Sequence, residues 1–164
     1  YFAYFEETDL CHRVWMAGYK ILFVSDSIIY HKFGATSQRL KKAFIEYHSY
    51  KNRINSQIKN FGFENLLKVT VIHLLIAVFL VLVFLIKGRI GISSAITRAI
   101  YWNFVNLRAT LVKRHKIQEN IRRVNDKSFF SDILINPPFG YYLAQFAGWN
   151  TTRIDYETNV KNKF

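Results

Sequence analysis

The sequence contains few of the residues that cross-link small domains or interrupt their helices and strands. Cys11 is the only cysteine among 164 residues, so no disulfide can form within the chain. The two prolines, Pro137 and Pro138, break the chain only beyond Asn125, where the predicted elements are short. The chain also contains no internal repeat and no low-complexity tract, which excludes the repeat architectures.

Acidic residues are scarce as well. Eleven Asp and Glu oppose 23 Lys and Arg, which gives a net charge of +12 and an isoelectric point near 9.9. This imbalance predicts an anionic partner: a nucleic acid, a phosphorylated substrate or an anionic membrane surface. Residues 87–127 are rich in Lys and Arg, and they follow the most apolar run of the chain. Basic residues beside an apolar run indicate a membrane before a nucleic acid.

The N-terminal residues predict an α/β pattern. The sequence begins without Met and inside an aromatic stretch, "YFAYFEETDLCHR", so we expect that residue 1 is not the start of the gene product. Short runs rich in aromatic and β-branched residues favour strands, and Gly18 stands where a helix end favours a positive φ. The predicted elements are strands at 1–5, 19–24 and 28–31 and a helix from Thr8 or Asp9 to Ala17.

The remainder of the chain predicts helices. Residues 41–61 favour a helix that Gly62 ends. Residues 69–86 contain no charged side chain, and at about 1.5 Å per residue they are long enough to cross a bilayer core. Residues 94–112 predict one amphipathic helix for a membrane interface, with an apolar stripe formed by Ile96, Ile100, Phe104, Leu107 and Leu111.

Three acids near the N-terminus are candidates for chemistry. Glu6, Glu7 and Asp9 lie between the aromatic strand and the helix start predicted here. The positive end of the helix dipole would keep them ionised, as a general base or a metal ligand requires. Spacing alone leaves the alternative open that these acids are ordinary capping residues of the first helical turn.

The letters around these acids resemble the C-terminal part of the catalytic domain of family 2 glycosyltransferases, in particular the rhamnosyltransferase-type members. That family has an aromatic strand that ends in an acid run, a helix with Leu-x-x-Arg, a Gly-Tyr pair and a strand that ends in His. The resemblance covers residues 1 to about 60, and the matching residues are Glu6, Glu7, Asp9, Leu10, Arg13, Gly18, Tyr19 and His31.

The resemblance implies an inverting sugar transferase of the GT-A fold. Glu7, the second acid of the run, would be the general base, and Asp9 would orient the loop or the acceptor. The family usually has Asp at the position of Glu7, so the side chain here is one methylene longer. His31 would ligate the divalent metal, Mg or Mn, that holds the donor diphosphate, although a strand-end His that caps a loop is the alternative. The family's Asp-x-Asp metal motif does not occur in this sequence.

The same resemblance suggests substrate contacts for Glu6 and Arg13, and for Lys51 and Arg53 on the helix after the His31 loop. Lys51 and Arg53 can meet a diphosphate, but solvated helix charges and contacts with lipid headgroups are open alternatives.

The sequence predicts a division of the chain into three parts and leaves three hypotheses for its function. We predict a catalytic-domain part at 1–62, membrane-associated helices at 63–112 and a basic helical tail at 113–164. The first hypothesis is the C-terminal fragment of a membrane-associated glycosyltransferase, which binds a nucleotide-sugar and a lipid-linked or glycan acceptor and no nucleic acid, with its catalytic part in the cytoplasm. The others are a basic membrane-anchored binding protein and a non-catalytic remnant that lacks the donor-binding half.

Overall fold

The computed structural model describes residues 1, 3–30 and 40–133. In this part of the chain the regular structure is helical. The helices are α1 (Glu6–Met16), α2 (Lys42–Asn60), α3 (Phe63–Ile86), α4 (Ile90–Val105), α5 (Leu107–Asn120) and α6 (Lys127–Ile133).

The α/β fold predicted from the N-terminal residues is wrong, because the described residues contain no strand. Tyr4 and Phe5 adopt positive φ angles of 62° and 72°, so residues 3–5 form a turn instead of a strand. Residues 19–30 belong to no helix or strand and are exposed, with Phe23 at 93% and Tyr30 at 99%. A strand needs a neighbour to accept and donate its backbone hydrogen bonds, and no described segment pairs with these residues. Their composition supplies strand propensity but no partner.

The helix α1 begins and ends at backbone features near its two termini. It starts at Glu6, two residues before the predicted Thr8, because the left-handed turn at Tyr4 and Phe5 directs the chain into the first helical turn. Gly18 has a φ of 86° just after the helix, which confirms the positive φ predicted there. The backbone N–H of Gly18 donates to the carbonyl of Trp15 at 2.9 Å and closes this end.

The helix α2 is the centre of the bundle, and its bounds agree with the predicted 41–61 within one residue at each end. It packs against α4 and α5 along its length and against α1. Ile54 is its only fully buried aliphatic side chain among many polar ones. The buried polar residues of α2 are Asn52, Asn55, Ser56, Gln57, Lys59 and Asn60.

The helices α3 and α4 form an antiparallel hairpin that turns at Gly88, whose φ is 69°. The hydroxyl of Ser93 on α4 donates to the carbonyl of Val81 on α3 at 3.0 Å. An apolar core of Ala77, Ile92 and Ile96 lies between the two helices, with Tyr50 of α2 packed against it. Near its start, α3 contains a π-helical turn at Leu66–Thr70.

The single amphipathic helix predicted at 94–112 is wrong, because the chain divides there into α4 and α5 at Asn106. The Asn106 amide donates to the carbonyl of Trp102 at 2.8 Å, which competes with continuation of the helix. The predicted apolar stripe is divided as well. Ile96 is buried in the protein core, whereas Phe104 is 75% exposed.

The chain forms two compact units, Tyr1–Phe129 and Phe130–Phe164. Of the second unit, the described residues are the last ones of α6, up to Ile133.

Candidate functional site

The three predicted acids occupy different environments on α1. Glu6 and Glu7 lie in the first turn and are exposed to solvent, whereas Asp9 is buried with 4% of its surface exposed. Neither Glu6 nor Glu7 makes a hydrogen bond or ion pair with another described residue. Both lie at the N-terminal end of α1, which carries partial positive charge. The pair is therefore free to meet a ligand, while Asp9 is not.

Asp9 is the centre of a buried polar cluster that joins α1 to α2. Its Oδ1 accepts hydrogen bonds from the Ser56 hydroxyl at 2.7 Å and from the Asn60 amide at 2.8 Å. The Lys59 ammonium lies 3.0 Å from the same oxygen, and Nε of Arg13 lies 3.1 Å from Oδ2. Two cations and two neutral donors thus compensate one carboxylate, as a buried charge requires.

The contacts of Asp9 also determine the direction in which the pKa of its carboxyl group shifts. Burial by itself would raise the pKa of the Asp9 carboxyl. The hydrogen bond from Ser56, the charge and hydrogen bond of Lys59 and the hydrogen bond from Asn60 outweigh this effect and lower the pKa below its usual value. Asp9 is consequently a permanent anion near neutral pH, which suits a positioning residue and does not suit a proton acceptor.

Asn52 fixes the turn from which α1 starts. Its side-chain amide donates to the carbonyls of Ala3 and Tyr4, at 2.7 and 2.8 Å. These bonds hold the backbone in the left-handed conformation of Tyr4 and Phe5, which side chains with a Cβ disfavour. The direction in which Glu6 and Glu7 leave the bundle therefore depends on a side chain of α2.

A second buried carboxylate, Asp126, joins the other ends of the helices. It accepts hydrogen bonds from the backbone N–H of Gly62 at 2.7 Å and from the Asn65 amide at 2.9 Å, and it pairs with Arg122 at 2.8 Å. Burial would raise its pKa, but these partners lower it. Arg122 also donates to the backbone carbonyl of Asn60. The turn between α2 and α3 is thereby tied to the end of α5.

The other predicted site residues lie apart from this cluster. Lys51 lies 5.1 Å from the ring centre of Trp102 and 5.4 Å from that of Tyr47. The guanidinium of Arg53 lies 5.5 Å from the ring centre of Phe5. Both cations thus stack on aromatic rings, which stabilises them through cation–π attraction and limits their reach.

The described residues do not test the expected metal site. His31 lies outside them, and no group of three His, Cys, Asp or Glu side chains within them can hold a metal ion. Asp9 has its oxygens engaged by protein donors, and among the described residues no third ligand lies beside Glu6 and Glu7. A divalent metal with His31 as ligand stays a prediction.

The residues around Asp9 were missed by sequence reasoning, although the sequence contains a signal for them. Asn52, Ser56 and Asn60 recur every four residues on α2, and Asn55 and Lys59 repeat the same spacing one position earlier. A polar stripe at helical spacing is usually interpreted as a solvent-facing surface. Here it is the buried face, because α1 and α5 supply its hydrogen-bond partners.

The helix α3 is long and apolar enough to cross a membrane, by its length and composition. Of the residues in its most apolar 18-residue stretch, only 11% are buried inside the protein. Leu75, Phe79 and Leu82 are each more than half exposed. The exposed apolar surface continues on α4 through Tyr101 and Phe104. A surface of this kind is typical of contact with a membrane or another protein.

No protein-family model, curated protein or solved structure matches this chain.

Proposed function

We propose that this chain contributes the acceptor side and the membrane attachment of an inverting family 2 glycosyltransferase. The enzyme would move a sugar from a nucleotide-sugar to a hydroxyl of a lipid-linked or glycan acceptor. One observation carries the proposal: Glu6 and Glu7 face solvent at the start of α1, while Asp9 on the same helix is locked to α2. The proposal concerns the enzymatic activity alone, on the helical fold of the structure and not on the α/β fold predicted from the sequence.

In this proposal Glu7 is the general base. A carboxylate that accepts the proton of an acceptor hydroxyl must be ionised, accessible and held in place. Glu7 is exposed, lies at the positive end of a helix dipole and follows a turn that Asn52 holds. Asp9 supports the same geometry through Arg13 and Lys59. Glu6 shares the solvent-facing turn and is expected to contact the acceptor.

The membrane part of the proposal concerns orientation. The apolar exposed surface of α3 and α4 would lie in the interface of the cytoplasmic leaflet, where a lipid-linked acceptor presents its hydroxyl. Basic residues on both flanks of α3 favour the cytoplasmic side, because such residues are retained there. The acids of α1 would then work beside the headgroups, in the compartment that we expect to supply the nucleotide-sugar.

The test is sugar transfer by membranes from cells that express the gene product containing this chain. Glu7→Gln keeps the size of the side chain and removes the base, so the transfer rate should fall by about 10²–10⁴-fold. Binding of the nucleotide-sugar should change little. Glu119→Gln is the matched control, because it removes the same charge from an exposed helical position outside this turn. Equal rates for Glu7→Gln and the parent would reject the base assignment.

A non-catalytic, membrane-anchored basic protein is the second candidate. The net charge of +12 and the absence of an Asp-x-Asp motif from this sequence favour it. The same assay separates the two proposals. Membranes with the parent chain that transfer no sugar from any nucleotide-sugar would favour the anchor, whereas transfer that depends on Glu7 would exclude it.

A further inference from the structure

A cleft of about 400 Å³ opens between α1, α2 and α5, on the solvent side of Asp9. Four cations line it: Arg13 from α1, Lys59 from α2, and Lys113 and Lys116 from α5. Among the described residues, Asp9 is the only acidic side chain in its wall. The cleft therefore carries a formal charge near +3, which no described residue neutralises.

The four cations that line the cleft differ in their burial and in their contacts. Lys59 is buried and lies against Asp9 at 3.0 Å. Arg13 uses only its Nε for Asp9, so its two terminal nitrogens make no hydrogen bond with another described residue. Lys113 and Lys116 are exposed, and neither forms an ion pair with a described acid. The cleft thus holds one guanidinium edge and two exposed ammonium groups that form no ion pair with a described acid.

The like charges in the cleft repel one another. The charges of Arg13 and Lys113 both act to lower the pKa of Lys59, in addition to the larger effect of its burial. The side-chain amide of Asn55 also lines the cleft and adds a neutral polar group. An anion between the cations would relieve the repulsion and use the free donors. A guanidinium edge beside two ammonium groups is well suited to phosphate oxygens.

We propose that this cleft binds a phosphate or diphosphate ester, held by Arg13, Lys113 and Lys116 above the Asp9–Lys59 pair. The ligand is either soluble or the headgroup of a lipid. The headgroup is sterically reasonable because Lys59 lies four residues before Phe63, where the apolar helix α3 begins. This site does not depend on the proposed sugar transfer, and its test needs no catalytic turnover.

The experiment measures pyrophosphate binding to the purified chain in neutral detergent by titration calorimetry. Lys113→Gln combined with Lys116→Gln removes two donors from exposed positions, so the fold is retained. Affinity for pyrophosphate should fall by about tenfold or more, because each charge-assisted hydrogen bond contributes on that scale. Lys113→Arg with Lys116→Arg should restore it. Lys20→Gln with Lys41→Gln removes two exposed charges outside the cleft and is the matched control.

A second arm separates the two sources of phosphate. Flotation with vesicles of phosphatidylcholine is compared with flotation on vesicles that also contain phosphatidic acid. A loss of binding to phosphatidic acid in the Lys113 and Lys116 variant assigns the site to a lipid headgroup. Loss of pyrophosphate binding alone assigns it to a soluble ligand. Equal losses in the control variant, or none in the cleft variant, would overturn the proposal and leave only general attraction to a basic protein.

Discussion

At the scale of single residues, the burial of Asp9 explains how α1 is held. A carboxylate loses several kcal/mol of hydration when it leaves water, and one cation seldom compensates this loss. Asp9 has two cations and two neutral donors within 3.1 Å, from both α1 and α2. The neighbouring Glu6 and Glu7 have no such partners in the described part of the chain and are exposed to solvent. Three acids that the sequence places side by side thus divide into one structural anion and two accessible ones.

Asp9→Asn should destabilise the chain by about 3–5 kcal/mol, because it leaves the buried Lys59 without its anion and also removes the ion pair of the half-exposed Arg13. Urea unfolding in detergent, followed by circular dichroism, measures the change in the free energy of unfolding. Glu6→Gln on the same helix is the control and should stay within about 0.5 kcal/mol of the parent. A loss below about 1 kcal/mol for Asp9→Asn would show that the cluster is not a source of stability.

His12 predicts a pH dependence in a different range from the carboxylates. It is buried against the rings of Phe61 and Phe129, and burial lowers its pKa from 6.5 to about 4, although Asp126 opposes the shift and Arg122 adds to it. Between these two pH values the unfolded chain binds a proton at His12 and the folded chain does not. Stability therefore falls as the pH falls through this window, by on the order of 3 kcal/mol.

The variant His12→Phe keeps the aromatic contacts and removes the titration. Its free energy of unfolding, measured in urea between pH 7 and pH 4, should decline less than that of the parent. Asp9 and Asp126 have lowered pKa values, so their contributions are present above the unfolded pKa of 3.8 and are lost below it. Parallel pH profiles for parent and variant would contradict the assignment to His12.

At the scale of elements, helices were predictable where the signal is local. The end of α1 at Gly18 and the bounds of α2 follow from residues within each segment. The predicted strands at 19–24 and 28–31 do not form, and local signals could not reveal this, because a strand exists only beside a partner. The candidate site likewise has one feature that the local sequence shows and one that depends on distant residues. The acid run is visible in the sequence, whereas the burial of Asp9 depends on Ser56 and Lys59, which lie far along the chain.

The hairpin of α3 and α4 provides a matched pair of glycines. Gly88 has a φ of 69° and Gly91 lies in helix α4, and no atom lies within 4 Å of a Cβ added to either. Gly88→Ala should therefore destabilise the protein by about 1–2 kcal/mol through backbone strain alone. Gly91→Ala should stabilise it by about 0.5–1 kcal/mol, because Ala loses less backbone freedom in a helix. Thermal unfolding of the two variants should shift in opposite directions, and a shift of equal sign would reject the turn geometry.

At the scale of the whole molecule, the surroundings of α3 restrict how it meets a membrane. Gln57 of α2 bonds to His73 at 3.1 Å, and Tyr50 packs level with Ala77, so α2 lies alongside α3. The turn of α2 that carries Lys51 and Arg53 is therefore close to the apolar part of α3. If α3 crossed the bilayer, these charges would enter hydrocarbon at about 2.5–3.5 kcal/mol each. A helix that lies in one leaflet, with its exposed face in lipid, avoids this loss.

The last prediction tests this arrangement in sealed vesicles. Cys11 is the only cysteine, so Cys11→Ser gives a background for single labels at Lys68→Cys and Lys87→Cys, which flank the apolar run and are exposed. If α3 lies in the interface, an impermeant maleimide should label both positions from the same side of the membrane. Labelling from opposite sides would establish a span, because the two positions bracket a helix of bilayer length. Recovery of the chain in the soluble fraction without detergent would instead assign the exposed apolar face of α3 to a protein partner.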